Sequence, residues 1–229
     1  KVEKADSIRV SWADGLKETF AGSEANQTMK LKRGSGRELG NSEKAEKETE
    51  LTDSLSWKHL ENNDLDLIKR EYLALRSFST QGPAIAVGDV NRDGLDDLYL
   101  GGAKDQAGIL LLQTFSGDFE EVSNPIFQQL AKAEDTVAEF ADFNGDGHLD
   151  LFVGSGGNEH PKGALFNFDR IFFGDGTGKF QFDMRAIPPI GENTSCIAIH
   201  DVDGDGDLDI FVGASVVTGD YGASPSSHL

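Results

Sequence analysis

Asp142-Phe143-Asn144-Gly145-Asp146-Gly147-His148-Leu149-Asp150 is the stretch from which the fold is read. Side-chain oxygens stand at its first, third, fifth and ninth positions, and the seventh offers a backbone carbonyl. Glycine at the sixth lets the chain turn sharply, because it accepts positive φ without a Cβ clash. Such a ring of oxygens suits a hard cation that takes about six to eight oxygen ligands, which is Ca²⁺ before the smaller, water-retaining Mg²⁺. An EF-hand would close three residues later with a glutamate and sit between helices. Here an aspartate closes the loop and the flanks read as strands.

The pattern occurs three times. Asp89, Asn91, Asp93 and Asp97, with the carbonyl of Leu95, form the first set. Asp142, Asn144, Asp146 and Asp150, with the carbonyl of His148, form the second. Asp201, Asp203, Asp205 and Asp209, with the carbonyl of Asp207, form the third. One Asp/Gly-rich nonapeptide is as easily a solvated turn. Three with the same glycine and the same closing aspartate predict about three structural Ca²⁺ per chain.

Outward from the loops, the flanks also repeat. A short apolar strand leads into each: Ala84–Val87, Val137–Phe140 and Cys196–Ile199. Another leaves each: Leu98–Leu100, Leu151–Val153 and Ile210–Val212, closing on Gly101, Gly154 and Gly213. Two copies continue into a hairpin, turning at Ser116-Gly117-Asp118 and at Asp175-Gly176-Thr177-Gly178. The third runs out before its hairpin. The repeats begin 53 and 59 residues apart (Asp89 to Asp142 to Asp201). Four short strands at that spacing predict an all-β fold, part of a β-propeller with four-stranded blades. A β-solenoid, whose calcium repeats are shorter, and a sandwich are the weaker alternatives. The repeats are placed at about 81–125, 133–184 and 192–229, within a region 81–229.

Before them, residues 1–32 read as a small β unit. Ser7–Trp12 alternates, Ala13-Asp14-Gly15 turns, Leu16–Phe20 returns and Gln27–Lys32 alternates again. Residues 33–53 are Gly, Ser, Lys and Glu with little to bury, and read as a polar linker. Residues 54–80 are a lead-in segment. Leu55, Trp57 and Leu60 fit a strand, while Leu65, Ile68, Tyr72 and Leu75 fit a short helix.

Composition narrows the function. The 229-residue chain carries a net charge of −19, with 38% hydrophobic residues and 27 glycines. That charge excludes a sequence-independent nucleic-acid binder, which needs a basic footprint. No apolar run reaches the ~18 residues of a membrane span, so no direct membrane insertion is expected. Cys196 is the only cysteine, which excludes an intrachain disulfide, and its strand-like flanks place it in the core. The chain opens without Met and stops inside a repeat, so it is expected to be a piece of a longer protein.

The calcium loop followed by two apolar residues and Gly-Gly or Gly-Ala resembles the FG-GAP/VCBS repeat, the blade unit of integrin α-chain propellers. The resemblance covers about residues 80–229. Ile8–Gly15 with Ala25–Thr28 resembles the ASPIC/UnbV domain, although the proline usual after the tryptophan is Ala13. That pairing is similar to cartilage acidic protein and to Bacteroidetes surface VCBS proteins. The resemblance implies a secreted or cell-surface, extracellular module for adhesion or recognition, with structural calcium. It implies further blades outside this chain, or self-association.

The expected partner is a protein or carbohydrate ligand. Its surface is expected in the variable loops, Ser155–His160 onward to Asn167 and Val216–Tyr221. The alternative is a calcium-dependent polysaccharide-degrading enzyme, a lyase or hydrolase. It finds no catalytic motif: His59, His148, His160, His200 and His228 form no pair at metal-ligand spacing, and no nucleophile motif occurs. The chain is therefore expected not to be an enzyme.

Overall fold

The computed structural model describes residues 4–11, 17–24, 29–38, 57–61, 78–220 and 222–229. The chain forms two compact units, Lys1–Leu55 and Ser56–Leu229. The Trp12–Gly15 turn, the 62–77 part of the lead-in, most of the linker and Tyr221 lie outside the described residues.

In the first unit β1 (Lys4–Ser11) pairs antiparallel with β2 (Lys17–Glu24). The expected third strand over Gln27–Lys32 is not there: Met29–Lys32 carries no strand, and Gln27 and Thr28 lie outside the described residues. Instead β3 (Arg37–Glu38), which falls in the stretch read as linker, pairs with β2. The cause is Glu18. Its buried carboxylate accepts hydrogen bonds from the backbone N–H of Gly34 and of Gly36, both at 3.0 Å, and so draws the chain back to β2.

Among the described residues the second unit has three antiparallel sheets. The first is β4 (Ile85–Gly88), β5 (Asp97–Leu100), β6 (Ile109–Gln113) and β7 (Phe119–Val122), in that order. A short helix, α1 (Pro125–Gln129), leads on to the second: β8 (Asp135–Ala141), β9 (Asp150–Ser155), β10 (Arg170–Gly174) and β11 (Phe180–Phe182). The third has two strands, β12 (Asn193–His200) and β13 (Asp209–Val216). The expected all-β class and four-stranded blades are observed. Among the described residues no helix is long and apolar enough to cross a membrane.

The sheets stack face to face. Ala86, Tyr99 and Leu110 of the first meet Ala138, Leu151, Val153 and Phe172 of the second in one core cluster. Phe127 of α1 is wedged between them, its ring centroid 5.3 Å from Tyr99 and 5.2 Å from Phe172, both edge-on. Burying a side chain of that size stabilises by about 1.5–3 kcal/mol. Phe152 and Ile171, on the other face of the second sheet, meet Val212, Ile197 and Ile210 of the third. The outermost faces have no described neighbour. Ile85 and Val87 are each 55% exposed on the first sheet, and Phe211 is 41% exposed on the third.

That stacking corrects the reading of Cys196. It is exposed rather than buried, because it lies on the outer face of the third sheet with Phe211, where nothing described packs. The closing glycines permit the stacking. A Cβ on Gly101 would stand 2.6 Å from the Cβ of Asp135, and one on Gly154 would stand 2.7 Å from Cγ2 of Thr194. The second strand of each sheet thus needs glycine where the first strand of the next sheet crosses it.

The third sheet carries the start of a third strand. His228 forms a bridge with Val212, exchanging N–H···O bonds of 2.8 and 2.9 Å. Leu100 pairs with Ile109 and Val153 with Arg170 at the matching positions of the first two sheets.

Candidate metal centres and the opposite face

The three nine-residue loops connect the first and second strands of their sheets, and they share one hydrogen-bond pattern. The N–H of the second residue donates to the closing aspartate: Val90 to Asp97 at 3.0 Å, Phe143 to Asp150 at 3.0 Å and Val202 to Asp209 at 2.9 Å. The sixth-position glycine donates to the first aspartate: Gly94 to Asp89 at 2.9 Å, Gly147 to Asp142 at 2.8 Å and Gly206 to Asp201 at 3.1 Å. The seventh N–H donates to the fifth-position aspartate from Leu95, His148 and Asp207. The fifth N–H donates to the third side chain, Asn91, Asn144 or Asp203.

Each oxygen-bearing side chain is thereby fixed by at least one backbone donor, with lone pairs left over for a cation. In the third loop Asp201, Asp203 and Asp209 offer ligand atoms that all lie within 4.8 Å of one another. The donor set is all oxygen, as a hard cation requires. Gly94, Gly147 and Gly206 take φ of +88, +85 and +99°, as the motif demands. The fourth position is also left-handed: Gly145 and Gly204 occupy it in two loops, and Arg92 at φ 64° in the first.

The closing aspartates do more than the motif alone conveyed. Asp97 and Asp150 are buried, and the second oxygen of each accepts a hydrogen bond from the far end of the third strand. Gln113 N–H donates to Asp97 at 2.9 Å, and Gly174 N–H donates to Asp150 at 2.9 Å. Burial holds both carboxyls above the ordinary range, against those backbone donors, and the neighbouring loop aspartates push the same way. Asp146 is fully exposed, and the N–H of His148 holds its carboxyl low.

At the other end of the strands the connections differ from sheet to sheet, and buried charge links one sheet to the next. Asp135 accepts hydrogen bonds from Tyr99 Oη at 2.8 Å, Gly102 N–H at 2.8 Å and Arg170 at 2.6 Å. Asp169 accepts from Ser155 N–H at 2.7 Å and from Thr194 Oγ1 at 2.8 Å, yet burial pushes its carboxyl up to about 7. Glu134 is 1% exposed, and a Cβ on Gly157 would strike both its carboxylate and that of Glu159. Burial first, and the Glu159 charge second, push Glu134 up to about 9.

The two loops singled out for recognition meet at this end. Gly219 N–H donates to Asn158 Oδ1 at 3.1 Å. His160 Nε2 lies 2.6 Å from the carbonyl of Lys132, and its ring centroid is 5.2 Å from that of Phe166. Lys104, through its hydrogen bond and charge, together with His160 and Lys132, holds Asp105 below the ordinary range. A cavity of about 680 Å³ opens beside Phe166, walled by the β9–β10 and β11–β12 connections. It involves no residue of the metal loops, and no sequence motif announced it.

A family model described as FG-GAP-like repeat matches residues 89–153 and 142–212, which together span more than half of the chain. No curated protein matches it.

Proposed function

We propose, for a chain that belongs to the FG-GAP-like repeat family, a calcium-stabilised recognition module of the secreted or cell-surface kind. Ca²⁺ is held by Asp89, Asn91, Asp93 and Asp97 with the Leu95 carbonyl, and by the corresponding residues of the other two loops. The observation that carries this reading is the single hydrogen-bond pattern repeated in three loops, with the Asp201, Asp203 and Asp209 oxygens converging. An ion there neutralises carboxylates that otherwise repel one another, so binding adds to folding free energy.

Its role is structural. The ligand, a protein or a carbohydrate, meets the other end of the strands, where the connections vary and the Asn158 and Gly219 loops converge. Extracellular sites of this type bind Ca²⁺ at about 10⁻⁴–10⁻³ M, so they stay filled outside the cell and do not act as sensors. The enzyme alternative gains no support from the Glu134–Glu159 pair, because Glu134 is sealed from substrate. The N-terminal sheet is read as the accompanying ASPIC/UnbV-type unit.

Elemental analysis of reloaded protein, with calorimetry before and after chelation, tests the proposal. About three Ca²⁺ per chain and a large rise in Tm on reloading are expected. No bound metal and no thermal shift would overturn it.

A further inference from the structure

The cavity walled by the β9–β10 and β11–β12 connections has a lining that selects its ligand. Its walls are apolar, with Leu165, Phe166, Phe168, Phe182, Met184 and Ile187 contributing. At about 680 Å³ it is of the size of a small-ligand or side-chain pocket. Leu165 and Met184 stand 66% and 67% exposed at its mouth, large apolar groups left in water.

The charged groups in its wall are already engaged. Asp169 is held by Ser155 and Thr194, and Arg170 by Asp135. A sugar laid here would leave most of its hydroxyls without partners, which disfavours it. An apolar side chain loses nothing of that kind.

The rim adds a sign. The lining itself sets Arg170 and Arg185 against Asp169 and Asp183, and Lys132 beside it leaves a local excess of positive charge on a chain of net charge −19. Lys132 Nζ lies 5.5 Å from the Phe166 ring centroid and makes no salt bridge with a described carboxylate. Arg185, its side chain 89% exposed, touches only the equally local Asp183.

The geometry points to a docking site for an acidic protein segment that seats one large apolar side chain in this cavity and sets its carboxylates against Lys132 and Arg185. This names the ligand class for the recognition role proposed above, and rests on that reading. Complementary charge at the rim supplies register and on-rate, while the apolar anchor supplies most of the affinity.

The test is fluorescence anisotropy on calcium-saturated protein with two labelled hexapeptides. One has a Leu-Phe centre flanked by Asp and Glu, and the other has the same centre flanked by Lys. The acidic peptide is expected to bind at least tenfold tighter. Lys132→Glu and Arg185→Glu are each expected to weaken it about fivefold, and Leu165→Asp to abolish it. All three positions are exposed, so an unchanged circular dichroism spectrum and calcium count verify the fold. Equal binding of both peptides, binding of neither, indifference to Leu165→Asp, or displacement by an oligo-uronate in preference to peptide would overturn the assignment. A calcium count of about three in the same samples separates such a failure from a failure of the metal reading.

Discussion

At one end of the stacked sheets the connections Asp89–Asp97, Asp142–Asp150 and Asp201–Asp209 have one length and one hydrogen-bond pattern. At the other end the first sheet turns through Gly101–Gly108 and the second through Gly156–Asp169, and the chain buries Glu134, Asp135, Asp169 and Arg170 there. The first end gathers carboxylates beside one another, Asp97 and Asp150 buried and the rest toward water. The second neutralises its charges internally, by ion pairing, hydrogen bonding or a retained proton. On the calcium reading proposed above, the same strands carry one end whose stability depends on a solute and one that depends on the chain itself.

Asp135→Ala strikes the second end hardest. It strips Arg170 of its partner in a buried setting and orphans Tyr99 Oη and Gly102 N–H, which predicts a loss of about 3–5 kcal/mol. Chemical denaturation with and without calcium should give the same loss, and a loss that vanished on chelation would erase the contrast between the ends.

Glu134 gives the next effect. Its folded pKa of about 9 lies above the unfolded value of 4.5, so the folded state holds the proton more tightly. Stability is therefore fully present below about 4.5 and falls as pH rises toward 9, by up to about 1.4 kcal/mol per pH unit. Asp169, at about 7, contributes with the same sign at lower pH. Melting in calcium-saturated buffer from pH 7.5 to 8.5 isolates Glu134. Wild type should lose stability across that interval and Glu134→Gln should be flatter. Parallel slopes would remove the buried acid from the account.

Gly147→Val acts at the loop end. A Cβ there meets nothing within 4 Å, so backbone strain of about 1–3 kcal/mol is joined by the loss of one Ca²⁺. The calcium part of the loss should disappear in chelator and the strain remain, whereas the loss from Asp135→Ala should not change. Phe115→Ser, at the exposed tip of the β6–β7 hairpin, should move stability by less than about 0.5 kcal/mol in either condition.

The loop end was legible because its chemistry is local. Nine consecutive residues state the turn, the donor type and the direction of the flanking strands. What escaped depends on distant partners. The tie from Asp97 to Gln113 spans sixteen residues, and no pattern inside the loop hints at it. Cys196 has the flanks of a core residue, but its burial is decided by whether another sheet lies against it. The five residues of α1 are too few for a helical period to register, although Pro125 at the start is the residue a helix accepts there. β3 was missed because two glycines and one buried glutamate, rather than an alternating pattern, bring it into place. The cavity was hidden for a related reason: its walls come from separate connections, each an ordinary loop when read alone.

The open outer faces have a directional consequence. The Ile85 and Val87 side of the first sheet and the Phe211 side of the third are different surfaces, so the stack has a head and a tail, as a polymer chain does. Within it, contacts run tail to head twice, each time placing the second-strand aromatic, Tyr99 or Phe152, against the next sheet. A sheet added at either face, from whatever chain, inherits that polarity: a tail takes a head, and like faces do not match. Head-to-tail growth of this kind gives a ring where the rotation from sheet to sheet closes, and an open filament where it does not.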